Sequence, residues 1–255
     1  VLNVNQGDTV KMSFVVMDYN KNKSKLNFTL VGRELPEFAS NQPLPRSYYR
    51  IFDGESREIY LDGFEAEIPE FAFYRNVSLN ASQIDTMQNI YSDFAYRLGT
   101  EEIPMHKRMT IRIRVNEEYV DDTLIYVATI DKKNKVSFLG NNRVDDFMEA
   151  KTNVLGTYFI AKDSIRPSVK PLNFKNNGSV AENWSLRVEI DDIGTGISKY
   201  AMYVNDEWVL ADYDAKNKLL MYQIDNRLKT GRNVLKVVVS DMVGNETIYT
   251  ATILR

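Results

Sequence analysis

A strand–turn–strand pattern occurs twice in this chain, once near each end. The stretch VVMDYNKNKSKLNFTL, residues 15–30, aligns with VVSDMVGNETIYTATI, residues 238–253, at a constant offset of 223 positions. The turn within each copy is rich in Asp and Asn, whose short side chains bond to nearby backbone amides. We therefore predict that the chain carries the final hairpin of one type of module twice. Identical residues at the offset include Val15 and Val238, Asp18 and Asp241, Asn22 and Asn245, and Thr29 and Thr252.

Hydrophobic residues alternate with polar ones in both copies, which is the period of a half-buried β-strand. In the first copy the apolar series is Val10, Met12, Phe14 and Val16, and in the second it includes Leu235, Val237 and Val239. The same offset aligns the two series. A slip by one residue would turn every side chain to the other face, so the copies agree in orientation as well as in composition.

Strand signals continue through the middle of the chain. TIRIRV at 110–115 alternates strictly, whereas LIYVATI at 124–130 is nearly continuous in apolar residues, as in a strand covered on both faces. Only residues 82–98 show helical spacing, which predicts at most a short helix. About seven short strands follow residue 174, as in an immunoglobulin-like sandwich, with Trp184 or Trp208 expected in its core. The predicted fold class is all-β, with tandem immunoglobulin-like β-sandwich modules.

Proline-rich stretches at 35–49 and 163–174 predict the module boundaries. We assign residues 1–46 to a partial or first immunoglobulin-like module, 47–163 to a middle β-sandwich and 164–255 to a C-terminal immunoglobulin-like β-sandwich. The first is too short to close a core alone. Its missing strands come either from the segments that follow it or from chain preceding Val1, and the repeat favours the second alternative.

Composition excludes several classes of function. With 32 basic and 35 acidic side chains, the net charge of −3 gives no reason to bind nucleic acid. The chain has no cysteine, hence no disulfide and no thiolate metal site. No apolar run approaches the roughly 20 residues of a membrane-spanning helix.

The sequence contains no recognisable set of catalytic residues. The single histidine, His106, lacks the partners of a zinc site or a catalytic dyad and is expected at the surface. Neighbouring carboxylates such as Asp191 and Asp192 are expected to point to opposite faces in strands and to face water at turns, so neither arrangement makes a catalytic pair. Calcium binding by Asp18 or Asp241 would need six or more oxygens, which the sequence does not assemble, so both are interpreted as turn residues. We assign no catalytic, cofactor-binding or metal-binding residue.

The C-terminal third resembles the last sandwich of lysostaphin-type zinc endopeptidases from the envelope of Bacteroidetes. The similarity lies in DDIGTGISKYAMYVNDEWVLADYD and VVVSDMVGN, with Thr195 in place of the usual serine. It extends upstream to AEIPEFAFYRNVSL and IPMHKRMTIRI and so spans nearly all 255 residues. The matching positions, which we interpret as structural, are Asp192, Gly196, Ile197, Tyr200, Trp208, Tyr213, Asp214, Asp241, Gly244 and Asn245.

The resemblance implies a scaffold and not an enzyme. The family's peptidase domain binds zinc through His-x3-Asp and His-x-His elements, and neither occurs in these 255 residues. The implied partners are an upstream peptidase domain, where the zinc would reside, or an envelope protein, together with peptidoglycan or another glycan. The alternatives are a stand-alone adhesion protein and, ranked last, an enzyme with a site in residues 47–163.

Export to the periplasm, the outer membrane or the cell surface is also expected. Besides the resemblance, four matches to the O-glycosylation motif of such bacteria favour this location. The motif is Asp, then Ser or Thr, then an aliphatic residue, Met or Thr. The four matches place candidate modification sites at Thr9, Thr86, Thr123 and Ser164.

Overall fold

The computed structural model describes residues 7–32, 48–85 and 87–255. Contacts divide the chain into two units, Val1–Pro45 and Arg46–Arg255. Within the described residues, regular structure consists of β-strands and one 3-10 turn, Glu117–Tyr119, which confirms the all-β prediction. The predicted module ranges stay predictions, and most of the boundary predicted at 35–49 lies outside the described residues.

The first unit contains a hairpin of β1 (Thr9–Met17) and β2 (Lys23–Val31). Its register pairs Val15 with Lys25, and the C-terminal hairpin pairs Val238 with Ile248, which is the same register at the offset of the repeat. The turns agree as well. In each, the Asn amide and side chain both donate to the Asp carboxylate four residues earlier.

The middle part of the chain forms two antiparallel sheets that face each other. The six-stranded sheet has the order β10-β9-β13-β7-β6-β3, and the five-stranded sheet has the order β11-β12-β8-β5-β4. The strands are β3 (Tyr48–Ile51), β4 (Arg57–Leu61), β5 (Phe64–Ile68), β6 (Val77–Ile84), β7 (Ala95–Leu98), β8 (Met109–Arg114), β9 (Ile125–Ile130), β10 (Val136–Gly140), β11 (Asn142–Val144), β12 (Phe147–Thr152) and β13 (Gly156–Lys162).

The alternating pattern of residues 110–115 and the continuous apolar run of residues 124–130 are explained by how β8 and β9 are buried. On β8, Ile111 and Ile113 are buried between the sheets while Arg112 and Arg114 point outward, as predicted. On β9, Val127 belongs to the core between the sheets, and Ala128 belongs to a second apolar cluster on the opposite face of the six-stranded sheet. The continuous apolar run of β9 therefore reflects burial on both faces.

The short helix considered for residues 82–98 is not found in the described residues. The segment consists of the end of β6, an irregular connection and β7. Its apolar residues serve packing without a helix, because Met87 covers the outer cluster and Tyr91 packs on the central core. The Tyr91 amide donates to the Ile160 carbonyl, a long-range bond that takes the place of a helical one.

The C-terminal part is a sandwich of a four-stranded sheet, β14-β16-β20-β19, and a five-stranded sheet, β15-β22-β21-β17-β18. In immunoglobulin lettering these orders read A-B-E-D and A′-G-F-C-C′, which confirms the predicted fold class. The strands are β14 (Ser168–Pro171), β15 (Gly178–Ser179), β16 (Ser185–Asp191), β17 (Ile197–Val204), β18 (Glu207–Val209), β19 (Asp212–Asp214), β20 (Leu219–Gln223), β21 (Arg232–Asp241) and β22 (Glu246–Leu254).

Neither tryptophan fills the core of this sandwich, so that prediction is wrong. Trp184 is 66% exposed and Trp208 is 56% exposed. Tyr222 is the largest buried side chain of this sandwich, among aliphatic residues such as Leu220 and Val237. Trp208 lies on the edge strand β18, where an aromatic side chain can lie against the sheet rim without entering the core.

Candidate functional site

The candidate site lies where the two sandwiches of the second unit meet. Hydrogen bonds of 2.9 Å or less connect the turn between β21 and β22 to the middle sandwich and to the segment that joins the two sandwiches. The Asn245 side chain donates to the Asp163 carbonyl, the Asn141 side chain to the Met242 carbonyl, and the Thr247 hydroxyl to the Pro167 carbonyl. The turn between β21 and β22 is thereby bonded both to the middle sandwich and to the segment that joins the two.

An apolar contact accompanies these hydrogen bonds. Val243, at the tip of the same turn, is 8% exposed and belongs to the outer cluster of the six-stranded sheet. Its neighbours in that cluster include Tyr126 and Phe159 of the middle sandwich. The turn between β21 and β22 thus covers part of the outer face of the six-stranded sheet. This cover explains why β9 is apolar on its outer face as well as on its core face.

Three carboxylates converge beside this contact. Oxygens of Asp163, Asp192 and Asp241 all lie within 4.8 Å of one another. Asp163 is 4% exposed and Asp241 is 2% exposed, while Asp192 is partly buried. Asp163 follows β13 of the middle sandwich, whereas Asp192 follows β16 and Asp241 is the last residue of β21, both in the C-terminal sandwich.

Backbone amides hold each carboxylate in place. Asp241 Oδ1 accepts from the amides of the turn that follows it, and Asp192 Oδ2 accepts from its own loop. Asp163 bridges the modules, because one oxygen accepts from the Ile165 amide and the other from the Thr195 amide at 2.7 Å. Gly194 is required by close approach, since a Cβ atom there would lie 2.0 Å from Asp163 Oδ2.

The electrostatic balance of this cluster is unfavourable. Two full charges 4.8 Å apart repel by about 3.5 kcal/mol at an effective dielectric constant of about 20. Burial, and then the charges of Asp163 and Asp241, raise the pKa of the Asp192 carboxyl above its ordinary value. Within the described part of the chain, no lysine or arginine forms an ion pair with any of the three. This arrangement favours a positively charged group among the carboxylates.

The residues of the sequence motif divide among three places. Asp192, Asp241 and Asn245 meet at the junction, with Gly196 and Gly244 in the loops that shape it. Ile197 packs on the core of the C-terminal sandwich, and the rings of Tyr200 and Tyr213 lie 5.1 Å apart. Asp214 accepts hydrogen bonds from the amide and side chain of Asn217, as a turn residue does. Trp208 lies apart from the junction, at a groove.

Sequence reasoning missed the residue that completes the cluster, Asp163. It identified the turn at Asp241, but it treated Asp163 only as the start of a linker. It also expected neighbouring carboxylates to face apart, and this holds for Asp191, whose carboxylate bonds Lys218 at 2.6 Å while Asp192 joins the cluster. A usable signal was the aspartate at the end of β13, directly before a proline-containing connection.

The groove beside Trp208 is the second feature with possible binding chemistry. It has a volume of about 420 Å³ and lies between edge strands of the two C-terminal sheets. Exposed Trp208 and Leu210 form its apolar wall, and Asp225 and Arg227 contribute polar groups. The Tyr222 hydroxyl donates to Asp225 Oδ1 at 2.6 Å.

His106 is exposed, as predicted, and its ring makes an edge contact with Tyr74 at 5.3 Å. Among the residues that the structure describes, no helix has the length and apolar character needed to cross a bilayer.

Comparison with known proteins adds a family match for part of the chain. Residues 53–163, within the middle sandwich, match the family described as Zu5-like domain. The chain is therefore a protein of β-sandwich modules, one of which is similar to a Zu5-like domain. No curated protein matches the chain.

Two solved structures show distant similarity. One contains the fibronectin(III)-like modules of Clostridium thermocellum CbhA, with 16% identity over 58% of this chain and 85% of that chain, at a TM-score of 0.30. The other is apo expansin of Clavibacter michiganensis, with 11% identity over 56% of this chain and 75% of that chain, at a TM-score of 0.27. Scores this low carry no argument about function.

Proposed function

We propose that this chain is the non-catalytic, modular part of an exported envelope protein, in which β-sandwiches in series position a catalytic domain of the lysostaphin-type zinc endopeptidase class. The catalytic zinc would belong to that domain, placed upstream of Val1. The periplasm or the outer membrane would be the location, and an envelope protein or peptidoglycan the partner. The observation that carries the proposal is the uncovered apolar face of the first hairpin.

The two copies of the hairpin differ in what covers them. In the second copy, Val237 and Val239 are buried against the facing sheet of the sandwich. The equivalent residues of the first copy, Phe14 and Val16, are exposed. The Phe28 ring of the paired strand stacks beside Phe14, but residues 7–32 provide no second layer over this face. A sheet that is apolar on one face needs a second layer, so this hairpin fits the last two strands of a further module.

The junction between the two sandwiches supports a positioning role. Hydrogen bonds, a buried valine and bridging amides fix one sandwich on the other, whereas modules that act independently need only a linker. Export is supported by exposure at three of the candidate glycosylation sites, Thr9, Thr123 and Ser164. The fourth, Thr86, lies outside the described residues.

The first test is intact mass and N-terminal sequencing of the protein from its native cell, compared with the reading frame upstream of Val1. A native form that contains His-x3-Asp and His-x-His elements would support the proposal. A native form beginning near Val1, or an unrelated upstream domain, would contradict it.

A matched pair of substitutions tests whether a further layer of the native protein covers the apolar face of the first hairpin. Phe14→Asp should lower the thermal midpoint because it places a charge in the predicted core of the first module. Val15→Asp, on the outward face of the same strand, should have little effect. Equal effects of the two would contradict a covering layer.

The groove beside Trp208 favours a second candidate function, glycan binding by a surface adhesion protein. An exposed indole beside carboxylate and guanidinium groups offers a flat apolar face together with hydrogen-bonding partners. On a glycan array, binding should be lost in Trp208→Ala and retained in Trp184→Ala, which removes the other exposed indole. Binding that survives Trp208→Ala, or is never detected, would contradict this function.

A further inference from the structure

We propose that Asp163, Asp192 and Asp241 bind a calcium ion that links the two sandwiches. This proposal does not depend on the proposed function, because it rests on the junction alone. It assigns a ligand to side chains that the sequence analysis treated as turn and linker residues.

Two oxygens at the cluster have no hydrogen-bond partner although they are buried. The first is the hydroxyl of Thr195, a residue that is 7% exposed and whose amide donates to Asp163 Oδ2. The second is Oδ1 of Asp192, itself a member of the cluster. Buried hydroxyl and carboxylate oxygens are normally paired, so both indicate a missing partner, and the carboxylate oxygen can be satisfied only by a donor or a cation.

The spacing of the carboxylates suits calcium. Calcium binds six to eight oxygens at about 2.3–2.6 Å, so two of its ligands lie at most about 5 Å apart. The three carboxylates fall within this limit at 4.8 Å. Magnesium is held by one or two carboxylates at shorter distances and keeps several waters, so three converging carboxylates favour the larger ion. The Thr195 hydroxyl and water are candidates for the remaining positions.

The consequence of binding is mechanical. Asp163 ends the middle sandwich, whereas Asp192 and Asp241 stand at the ends of two separate strands of the C-terminal sandwich, β16 and β21. An ion shared among them links Asp163 of the middle sandwich to two strand ends of the C-terminal sandwich and offsets the repulsion among the three carboxylates. Calcium sites with few protein ligands, as in extracellular modules, bind with dissociation constants of about 10⁻⁴–10⁻³ M, so the titration has to reach millimolar calcium.

The test uses the whole 255-residue chain, treated with EDTA and then titrated with CaCl₂ in a calorimeter. We expect one calcium ion per chain and a rise in the thermal midpoint of roughly 4 °C or more at saturation. MgCl₂ at the same concentration should give a smaller rise. Absence of both heat and stabilisation at millimolar calcium would overturn the proposal.

Asp192→Asn and Asp191→Asn form the matched pair of variants. The first keeps an oxygen for the loop amides but removes one charge from the cluster, so calcium affinity should fall by about tenfold or more. The second removes only the surface pair with Lys218 and should bind calcium as the wild type does.

The apo state separates an ion site from a purely structural cluster. Without calcium, Asp192→Asn should be at least as stable as the wild type, because it relieves repulsion; with calcium, it should be less stable. A variant less stable under both conditions, with unchanged calcium affinity, would mean that the cluster is structural.

Discussion

Replacing Val243 with asparagine should loosen the junction between the two sandwiches while leaving both folded. Asparagine is compatible with the turn, because Asn20 occupies the equivalent position of the first hairpin, where the same Asp–Asn hydrogen bonds form. The substitution therefore changes the docking contact and spares the turn.

The size of the effect follows from the burial of Val243. Losing its burial costs about 1.5 kcal/mol, and an amide without partners in that position costs about 1–3 kcal/mol. Three hydrogen bonds cross the junction, from Asn245 and from the Thr195 amide to Asp163 and from Asn141 to Met242. At about 0.5–1.5 kcal/mol for each neutral bond and about 1.5–3 kcal/mol for the one to the Asp163 carboxylate, they contribute about 2.5–6 kcal/mol together. Because the loss is of similar size, the docked and undocked arrangements should become comparable in free energy.

Small-angle X-ray scattering and amide hydrogen exchange measure this change. Val243→Asn should increase the radius of gyration and speed exchange in β9 and β13, which the turn covers. Ile248→Asn, on the outward face of the same hairpin, should alter stability by no more than about 0.5 kcal/mol. If Val243→Asn left both the scattering curve and the exchange rates at wild-type values, the valine would not be holding the junction.

Three further substitutions test other parts of the structure. Gly194→Ala should destabilise the protein by about 2–4 kcal/mol in urea unfolding, because the new Cβ atom displaces Asp163 and breaks a charge-assisted hydrogen bond. A loss of stability below about 0.5 kcal/mol would refute the close approach. Trp208→Ala should cost less than about 1 kcal/mol and Leu220→Ala about 2–5 kcal/mol, whereas the reverse order would put the indole in the core. Lys21 has a left-handed φ of 67°, which costs a residue other than glycine about 1 kcal/mol. Lys21→Gly should remove this strain and slow amide exchange in the first hairpin. Unchanged exchange would contradict this.

The sequence predicted local features of the fold well because they depend on near neighbours. Alternation located β8, the continuous apolar run marked β9 as covered on both faces, and the repeat showed that two hairpins share the same alternation and turn. The helical spacing at 82–98 was misleading because Tyr91 and its neighbours pack through long-range contacts that no local period records. Trp208 was misplaced because its size suggested a core residue, while its position on an edge strand keeps it exposed.

The candidate site was beyond local reasoning, since its three carboxylates are far apart in the chain. Asp18 and Asp241 have the same turn, the same register and the same hydrogen bonds to an asparagine four residues later. Turn chemistry therefore does not make an ion site by itself. The difference lies in what meets the turn, because Val243 docks Asp241 against the chain that presents Asp163, whereas the first hairpin has polar Asn20 in the docking position. The proposed cation binding at Asp241 therefore depends on the junction, where Val243 supplies the apolar contact that the first hairpin lacks.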